Sequence, residues 1–419
     1  MFEFLTKKKK KAKAVVIPRK EHCISRKDID QDALKVLYRL SDAGYTAYLV
    51  GGGVRDLLLG RVPKDFDVGT SARPNEVRKL FKNCFLIGRR FRLAHIKYGN
   101  KIIETATFRQ NSQTVGEIIE HAAEGPQEDN SFGTPQTDAY RRDFTVNGLF
   151  YNIKDYTVID YVGGMKDLQK KIIRSIGDPE IRFQEDPVRM MRAIKFSSRL
   201  GFTIEKATIA AICKYHSFIL SAAAPRVCEE IFRLFTFGHS CEAFKMMWEY
   251  GLLHDLMPNL SDYITNSGGK RSPTWKYMKM LDEYDRIMRE RDYEVSNGLR
   301  LAVLYAAYYR SCNPLTKTGK PKKSANSRAT NARVLTKELT ESIKIPKATY
   351  FTVVLLLESS RRLMVEPNRG KSRFIYNMEF LDALDYNRII LRAEKKSEDI
   401  LNMWSDLYDQ KESKNENNP

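Results

Sequence analysis

Thr46-Ala-Tyr-Leu-Val-Gly51-Gly-Gly-Val-Arg55-Asp-Leu-Leu-Leu-Gly60-Arg-Val-Pro-Lys-Asp65-Phe-Asp67-Val-Gly-Thr70 decides how the rest of this 419-residue chain is read. The apolar run Tyr48, Leu49, Val50 stops at three glycines, Gly51 to Gly53. Val54 to Leu59 suits one or two helical turns, with Gly60 as the stop. Asp65-Phe66-Asp67-Val68 then reads as a strand. Strand side chains alternate, so Asp65 and Asp67 are expected on one face, with Phe66 and Val68 packed into the core behind them. Two carboxylates held side by side repel unless a cation lies between them, and hard oxygen ligands suit Mg²⁺. Glycines let backbone N–H groups approach phosphate oxygens, and a helix N-terminus adds a positive field. Arg55 adds a fixed charge on the first turn. A phosphate cradle of Gly51, Gly52 and Arg55 beside paired carboxylates points to phosphoryl or nucleotidyl transfer. Alone, the glycines are a turn and Asp-x-Asp a solvated edge; their order and spacing together carry the signal. No Gly-Lys-Ser/Thr follows, so this is not a Walker loop, and the G-x-G-x-x-G dinucleotide fingerprint is absent.

Working outward, Ser25 or Asp28 is expected to cap a helix that carries Ala33, Leu34, Val36, Leu37 and Leu40 at helical spacing. Arg73-Pro-Asn-Glu-Val77 opens a second helix running to about Phe81. Ile96–Tyr98 and Lys101–Phe108 read as a hairpin around Gly99-Asn100. Glu104, on its second strand, either completes a carboxylate triad with Asp65 and Asp67 or is an ordinary polar residue on an exposed face. Arg89, Arg90 and Arg92 suit contacts to a triphosphate or to an RNA backbone, and His95 reads as hydrogen-bonded structure. Residues 109 to 137 read as a long loop of the kind that covers sites. Arg141, Arg142 and Asp143 crowd a core edge of Phe144, Val146, Leu149 and Phe150, which is costly for charges without a task.

From about residue 180 the strand signals stop and helical periodicity runs through Trp404. In Ile181–Phe196, with Pro187 in a first turn, Asp186, Arg189 and Arg192 lie three apart on one face. A carboxylate beside a guanidinium presents acceptors and donors in a plane, as a base edge does; the plainer reading is an intrahelical salt bridge.

Lys and Arg total 71 against 52 Asp and Glu, a net charge of +19, which calls for a polyanionic partner. Lys317, Lys320, Lys322, Lys323 and Arg328 fall in an acid-free stretch, 313–333, that reads as an exposed loop touching RNA phosphates. Six lysines between residues 7 and 13 read as a solvated tail or a weak electrostatic contact with RNA or a membrane surface. No apolar run is long enough to span a bilayer. The six cysteines are scattered, which suits free thiols in a reducing cytoplasm.

Gly51-Gly52 with Arg55-Asp56, then Asp65-x-Asp67, resembles the opening motif of the polymerase-β-like nucleotidyltransferases, and more narrowly the class II bacterial branch of tRNA CCA-adding enzymes and poly(A) polymerases. The motifs recur in order from Val15 to Arg192, and a weaker likeness continues to about Ala393. The resemblance implies an α+β fold: an N-terminal nucleotidyltransferase head with a small mixed sheet, then an all-helical neck, body and tail. The implied divisions are a tail and lead-in at 1–30, the head at 31–170, the neck at 171–240, a helical RNA-binding body at 241–408, and a disordered end at 409–419. It implies that Arg142, Asp143 and Asn147 hold the nucleotide sugar and phosphates, with Asp143 as third catalytic acid beside Asp65 and Asp67. It gives base reading to Asp186 and Arg189, with Arg192 on the same nucleotide-binding face, and leaves Glu185 to position them. The implied cofactor is a pair of Mg²⁺ ions, with Mn²⁺ as a substitute. The implied substrates are ATP and RNA 3′ ends: mRNA, small RNAs and tRNA. Leu86–His95 and the lead-in Val16–Ile29 resemble the poly(A) polymerase side of the branch. A CCA-adding enzyme is the near rival, and a noncatalytic RNA-binding protein the distant one.

Overall fold

In the first unit, the apolar run before the glycines becomes the second strand of a mixed sheet. The strands are β1 (Val15–Ile17), β2 (Ala47–Val50), β3 (Asp67–Thr70), β4 (Cys84–Ile87), β5 (Leu93–Tyr98), β6 (Lys101–Thr107), β7 (Leu149–Asn152) and β8 (Thr157–Asp160). Their order across the sheet is β1-β8-β7-β2-β3-β6-β5-β4. This computed structural model describes residues 14–88, 92–110, 132–314, 331–367 and 372–416. The chain divides into one unit of residues 1–179 with 203–208 and another of residues 180–202 with 209–419.

Strand β2 lies antiparallel between β7 and β3, while β3 pairs with β6 in parallel. The register sets Val50 opposite both Asp67 and Phe150, and Val68 beside Thr105. Alternation therefore puts Tyr48, Val50, Asp67, Glu104, Phe108 and Phe150 on one face, and Leu49, Val68 and Thr105 on the other. Val50, Phe108, Ala139, Phe150 and Ile159 form a buried cluster on the first face. Helix α1 (Gln31–Asp42) packs on β2 and β3, burying Ala33, Leu34, Val36, Leu37 and Leu40 as its spacing predicts. Its cap is Asp30, whose carboxylate accepts from the Asp32 and Ala33 N–H groups at 2.8 and 3.2 Å. The expected cap, Ser25, instead starts a separate 3₁₀ turn at Arg26–Asp28. Helices α2 (Gly52–Leu58), α3 (Pro74–Leu80), α4 (Pro135–Arg141) and α5 (Gly164–Lys170) complete this region.

Several expectations shift. The lead-in is not merely extended: β1 pairs antiparallel with β8 and makes the sheet eight-stranded rather than small. The strand holding the carboxylates starts at Asp67, so Asp65 lies in the segment before it, and Phe66 is only half-buried while Val68 is fully buried. Residues 111–131 of the expected long loop lie outside the described residues, and α4 begins at Pro135 with Thr134 as its cap, inside the span read as loop. A parallel pair, β9 (Ile172–Ile173) with β10 (Thr203–Ile204), carries strand structure past residue 180.

The second unit is helical. The expected single helix at 181–196 is two, α6 (Pro179–Glu185) and α7 (Val188–Leu200), because Pro187 lacks the N–H that would continue the ladder. Helices α8 (Lys206–Tyr215) and α9 (Ala224–Leu234) follow, the latter burying Val227, Cys228, Ile231 and Leu234 along one stripe. Beyond them α10 (Asn297–Cys312) is buried on nearly every side from Gly298 to Ala307 and packs on α11 (Lys347–Leu363) and α12 (Phe380–Ala393). An all-round apolar helix needs such a jacket. The last helix, Asp399–Glu416, runs through residues 409–416, correcting the expected disordered end there. Its Glu, Lys and Gln residues are good helix formers without apolar content, so periodicity does not reveal them. The lysine run of residues 7–13 and residues 417–419 lie outside the described residues.

Candidate active site

The chain leaves β2 through Gly51, whose φ of +70° belongs to a conformation that side chains rarely adopt. A Cβ added there would also lie 2.8 Å from Nη1 of Arg142. The turn is therefore closed around that guanidinium. A Cβ on Gly53 would lie 3.2 Å from the carbonyl oxygen of Asp65, so the first helical turn also abuts the segment carrying this carboxylate.

Arg142 is placed from three directions. Its Nε donates to Oδ2 of Asp138 at 3.1 Å, its Nη1 to the Asn147 carbonyl at 3.3 Å, and its guanidinium carbon lies 5.3 Å from the Phe150 ring centre. Asp138 is 2% exposed and also accepts from Nε of Arg141 at 2.8 Å and from the Arg109 N–H at 3.2 Å. One buried carboxylate thus aims two arginines. Sequence reasoning named both arginines and missed Asp138. Its signal was the helical spacing of three and four residues.

Arg55 departs from its expected place. It is 2% exposed, with Nε and Nη2 donating to Oδ1 of Asp56 at 2.9 and 2.7 Å and Nη1 to Oδ1 of Asn147 at 2.6 Å. It braces the glycine turn from beneath, where Asp56 neutralises it. Asn147 in turn donates to Oδ1 of Asp143 at 3.0 Å, and the Phe144 N–H donates to the same oxygen at 2.8 Å. Arg55, Asn147 and Asp143 form one chain of hydrogen bonds.

Asp67 sits at the start of β3, opposite the end of β2. Burial raises its pKa to about 6; the Glu104 carboxylate adds to the rise, Arg142 opposes it, and Asp65 adds again. Parallel pairing of β3 with β6 brings Glu104 close, because Val68 lies beside Thr105. Glu104 is half exposed, and its Oε1 lies 3.8 Å from Nε2 of His95 across the hairpin. Asp143, expected as the third acid, accepts from Asn147 and from the Phe144 N–H.

Among the described residues, no three His, Cys, Asp or Glu side chains converge closely enough to hold a metal ion between them. The donor chemistry still fits a hard cation. Asp67 is a half-buried carboxylate beside two more carboxylates, a set whose mutual repulsion a divalent cation relieves. Arg92 is exposed, just before β5, while Arg89 and Arg90 lie outside the described residues, as do Lys317, Lys320, Lys322, Lys323 and Arg328. The turn after Asp160 is structural. Its carboxylate accepts from the N–H groups of Val162, Gly163, Gly164 and Met165 at 2.8–3.0 Å.

In the second unit, Asp186 sits at the break between α6 and α7. Its Oδ2 lies 3.8 Å from Nε of Arg189 and accepts from Nη2 of Arg226 at 2.9 Å, while its buried Oδ1 has no partner. The pair predicted on one face is therefore present, with an acceptor atom left over. Arg226, on α9, is a third member of this group. Arg192 turns away: its Nη1 lies 3.6 Å from Oε1 of the buried Glu230, which also takes Lys195 at 2.6 Å and Arg233 at 3.3 Å. A buried carboxylate draws the nearest cations, so Arg192 faces α9 instead of joining Asp186. Glu185 accepts from Nη1 of Arg182 at 2.8 Å.

Residues 47–174 match the family model described as the Poly A polymerase head domain, and residues 201–264 the one described as the probable RNA and SrmB-binding site of polymerase A. The chain is 46% identical over 302 residues to the Poly(A) polymerase I of Escherichia coli O6:H1, covering 70% of this chain and 63% of that protein. It is 38% identical over 229 residues to the CCA-adding enzyme of Lactobacillus helveticus, covering 55% and 56% of the two chains. The chain thus spans less than two thirds of the length of these relatives. The solved CCA-adding enzyme of Bacillus stearothermophilus in complex with CTP shares its fold, with a TM-score of 0.65 at 24% identity over 91% of this chain and 82% of that one. The α+β architecture, an N-terminal mixed sheet followed by helices, is therefore the fold of that solved enzyme.

Proposed function

We propose that this chain, whose residues 47–174 match the Poly A polymerase head domain, is a template-independent RNA adenylyltransferase, which extends RNA 3′ ends from ATP. The observation that carries this reading is the crowding at Asp67, a half-buried carboxylate whose charge neighbours are Glu104, Arg142 and Asp65, beside a glycine turn closed on Arg142. The identities of 44–46% to poly(A) polymerases of several bacteria support adenylate as the added nucleotide.

In the proposed reaction the RNA 3′-hydroxyl oxygen bonds to the α-phosphorus of ATP, its proton leaves, and the bond to the β-phosphate oxygen breaks to release pyrophosphate. Asp65 and Asp67 would hold Mg²⁺, as two ions, which supplies the charge that acidifies the hydroxyl and offsets the triphosphate. Arg142 meets phosphate charge beside the N–H groups of the glycine turn. Asp138 fixes its direction, and Arg55 with Asn147 keeps the turn rigid. Selection of adenine is assigned to Asp186, whose Oδ1 is an acceptor without a partner, and to Arg189, whose guanidinium supplies donors. Net charge of +19 supports RNA as the polyanion. The six cysteines are unpaired, which supports a reducing cytoplasm, and with it a role in mRNA processing and decay.

RNA-dependent pyrophosphate release with ATP and Mg²⁺ tests the reading. Release that needs both RNA and the metal is expected; no release with any nucleoside triphosphate would leave a noncatalytic RNA-binding protein. Asp138→Asn keeps a hydrogen-bond acceptor but removes the charge holding Arg142. It is expected to raise the KM for ATP about tenfold and to lower stability by about 1–3 kcal/mol. Steady-state kinetics and thermal unfolding read both effects, and an unchanged KM would show that Arg142 does not depend on Asp138.

A further inference from the structure

Helix α11 carries a stripe that the proposed chemistry does not use. Phe351, Val354, Leu355, Glu358, Arg361 and Arg362 recur at helical spacing along one face. With Arg333 and Phe374 they line a groove of about 470 Å³. Phe351 is 55% exposed, an unusual exposure for so large an apolar ring. The guanidinium of Arg333 lies 5.9 Å from its ring centre, and that of Arg362 lies 5.3 Å from the ring centre of the buried Phe374. Among the described residues, Arg333, Arg362 and Glu358 make no ion pair.

A second observation is an unsatisfied buried atom on a residue that lines the groove, Arg361, and another on Tyr309, which its charge reaches. Arg361 donates from Nη2 to Oδ1 of Asn313 at 3.1 Å, while its buried Nε has no partner. The hydroxyl of Tyr309, a residue 4% exposed, is likewise unpartnered, and the charges of Arg361 and Glu358 act on it. Buried polar atoms are seldom left unmade. An unsatisfied lining arginine, with a second such atom within reach of its charge, beside an exposed ring and two arginines without ion pairs, describes a site that a ligand completes.

We propose that this groove binds one nucleotide of single-stranded RNA, its base stacked on Phe351 and its phosphates on Arg333 and Arg362. Base stacking on aromatic rings combined with cationic phosphate contacts is how single strands are held without sequence reading. Glu358 supplies an acceptor suited to the amino group of adenine, cytosine or guanine. The site lies outside residues 201–264, the stretch matched to an RNA-binding description. The inference rests on RNA being the partner, and it concerns retention of the strand and not its extension.

The test is fluorescence anisotropy with labelled oligo(A), in EDTA and without ATP, so that catalysis plays no part. Phe351→Ala and Arg362→Ala are each expected to weaken binding about tenfold. Phe351→Trp should keep the affinity, and oligo(A) should quench the added emission of that variant. Because Phe351 is exposed, its replacement leaves packing intact, and matching thermal unfolding checks this. Unchanged affinity in Phe351→Ala, or no quenching in Phe351→Trp, overturns the proposal. Retained affinity with altered self-association by light scattering also overturns it, and assigns the face to a protein. Primer extension by the unaltered protein runs in parallel: failure there sinks the adenylyltransferase reading while the binding results stand.

Discussion

Asp67→Asn is expected to lower the rate of adenylate transfer by about a thousandfold or more without lowering the temperature of unfolding. The loss follows from removing one of two carboxylates assigned to the metal, whose charge stabilisation is worth several kcal/mol. The retained stability follows from what surrounds Asp67. Burial and the neighbouring Glu104 and Asp65 carboxylates make its ionised form unfavourable, which is why its pKa rises to about 6. A neutral amide of the same shape removes that repulsion. Sites that bind ions commonly hold such unfavourable charge in the empty protein. Mg²⁺ should raise the melting temperature of the unaltered protein and leave that of the variant unchanged, since only a ligand of the folded state stabilises it. A variant that extends RNA normally would remove Asp67 from the chemistry. One that unfolds far below the unaltered protein would show its charge to be structural.

Asp186→Asn is expected to erase much of the preference for ATP over the other nucleotides, by about 5- to 150-fold. That range corresponds to the roughly 1–3 kcal/mol that a well-formed pair of hydrogen bonds to a base edge discriminates. The carboxylate offers a buried oxygen without a partner, and its other oxygen is held by Arg226 and faces Arg189. The amide replaces an acceptor by a donor at one of those positions. Competition between labelled ATP and CTP on one RNA primer measures the ratio. Total rate with ATP should fall less than the ratio does. An unaltered ratio would move base selection to other residues.

Local patterns in the sequence expose the parts of this site that local forces build. The apolar run, the glycines and the short helix give β2, the turn and α2, and the Gly99-Asn100 hairpin forms as its turn residues require. Asp186 and Arg189 meet because their spacing is short. The rest depends on long-range choices that periodicity does not encode. Parallel pairing of β3 with β6 brings Glu104 to Asp67 from 37 positions away, a choice the hairpin pattern left open between a triad member and an exposed polar residue. Arg55 and Arg142 look alike in sequence, yet Asp56 and Asn147 bury the first while Asp138 aims the second at the turn. Arg192 shares the spacing of Arg189 but answers to Glu230, 38 residues on. In each case the partner, and not the residue, decides the role.

The most direct measurement of the central claim is extension of two primers with Mg²⁺ and each labelled nucleotide singly: an unstructured RNA, and a tRNA ending just before CCA. The account predicts a long ladder of adenylate on both RNAs and little use of CTP. Incorporation of cytidylate on the tRNA, ending after a single adenylate, would contradict it and make the chain a CCA-adding enzyme.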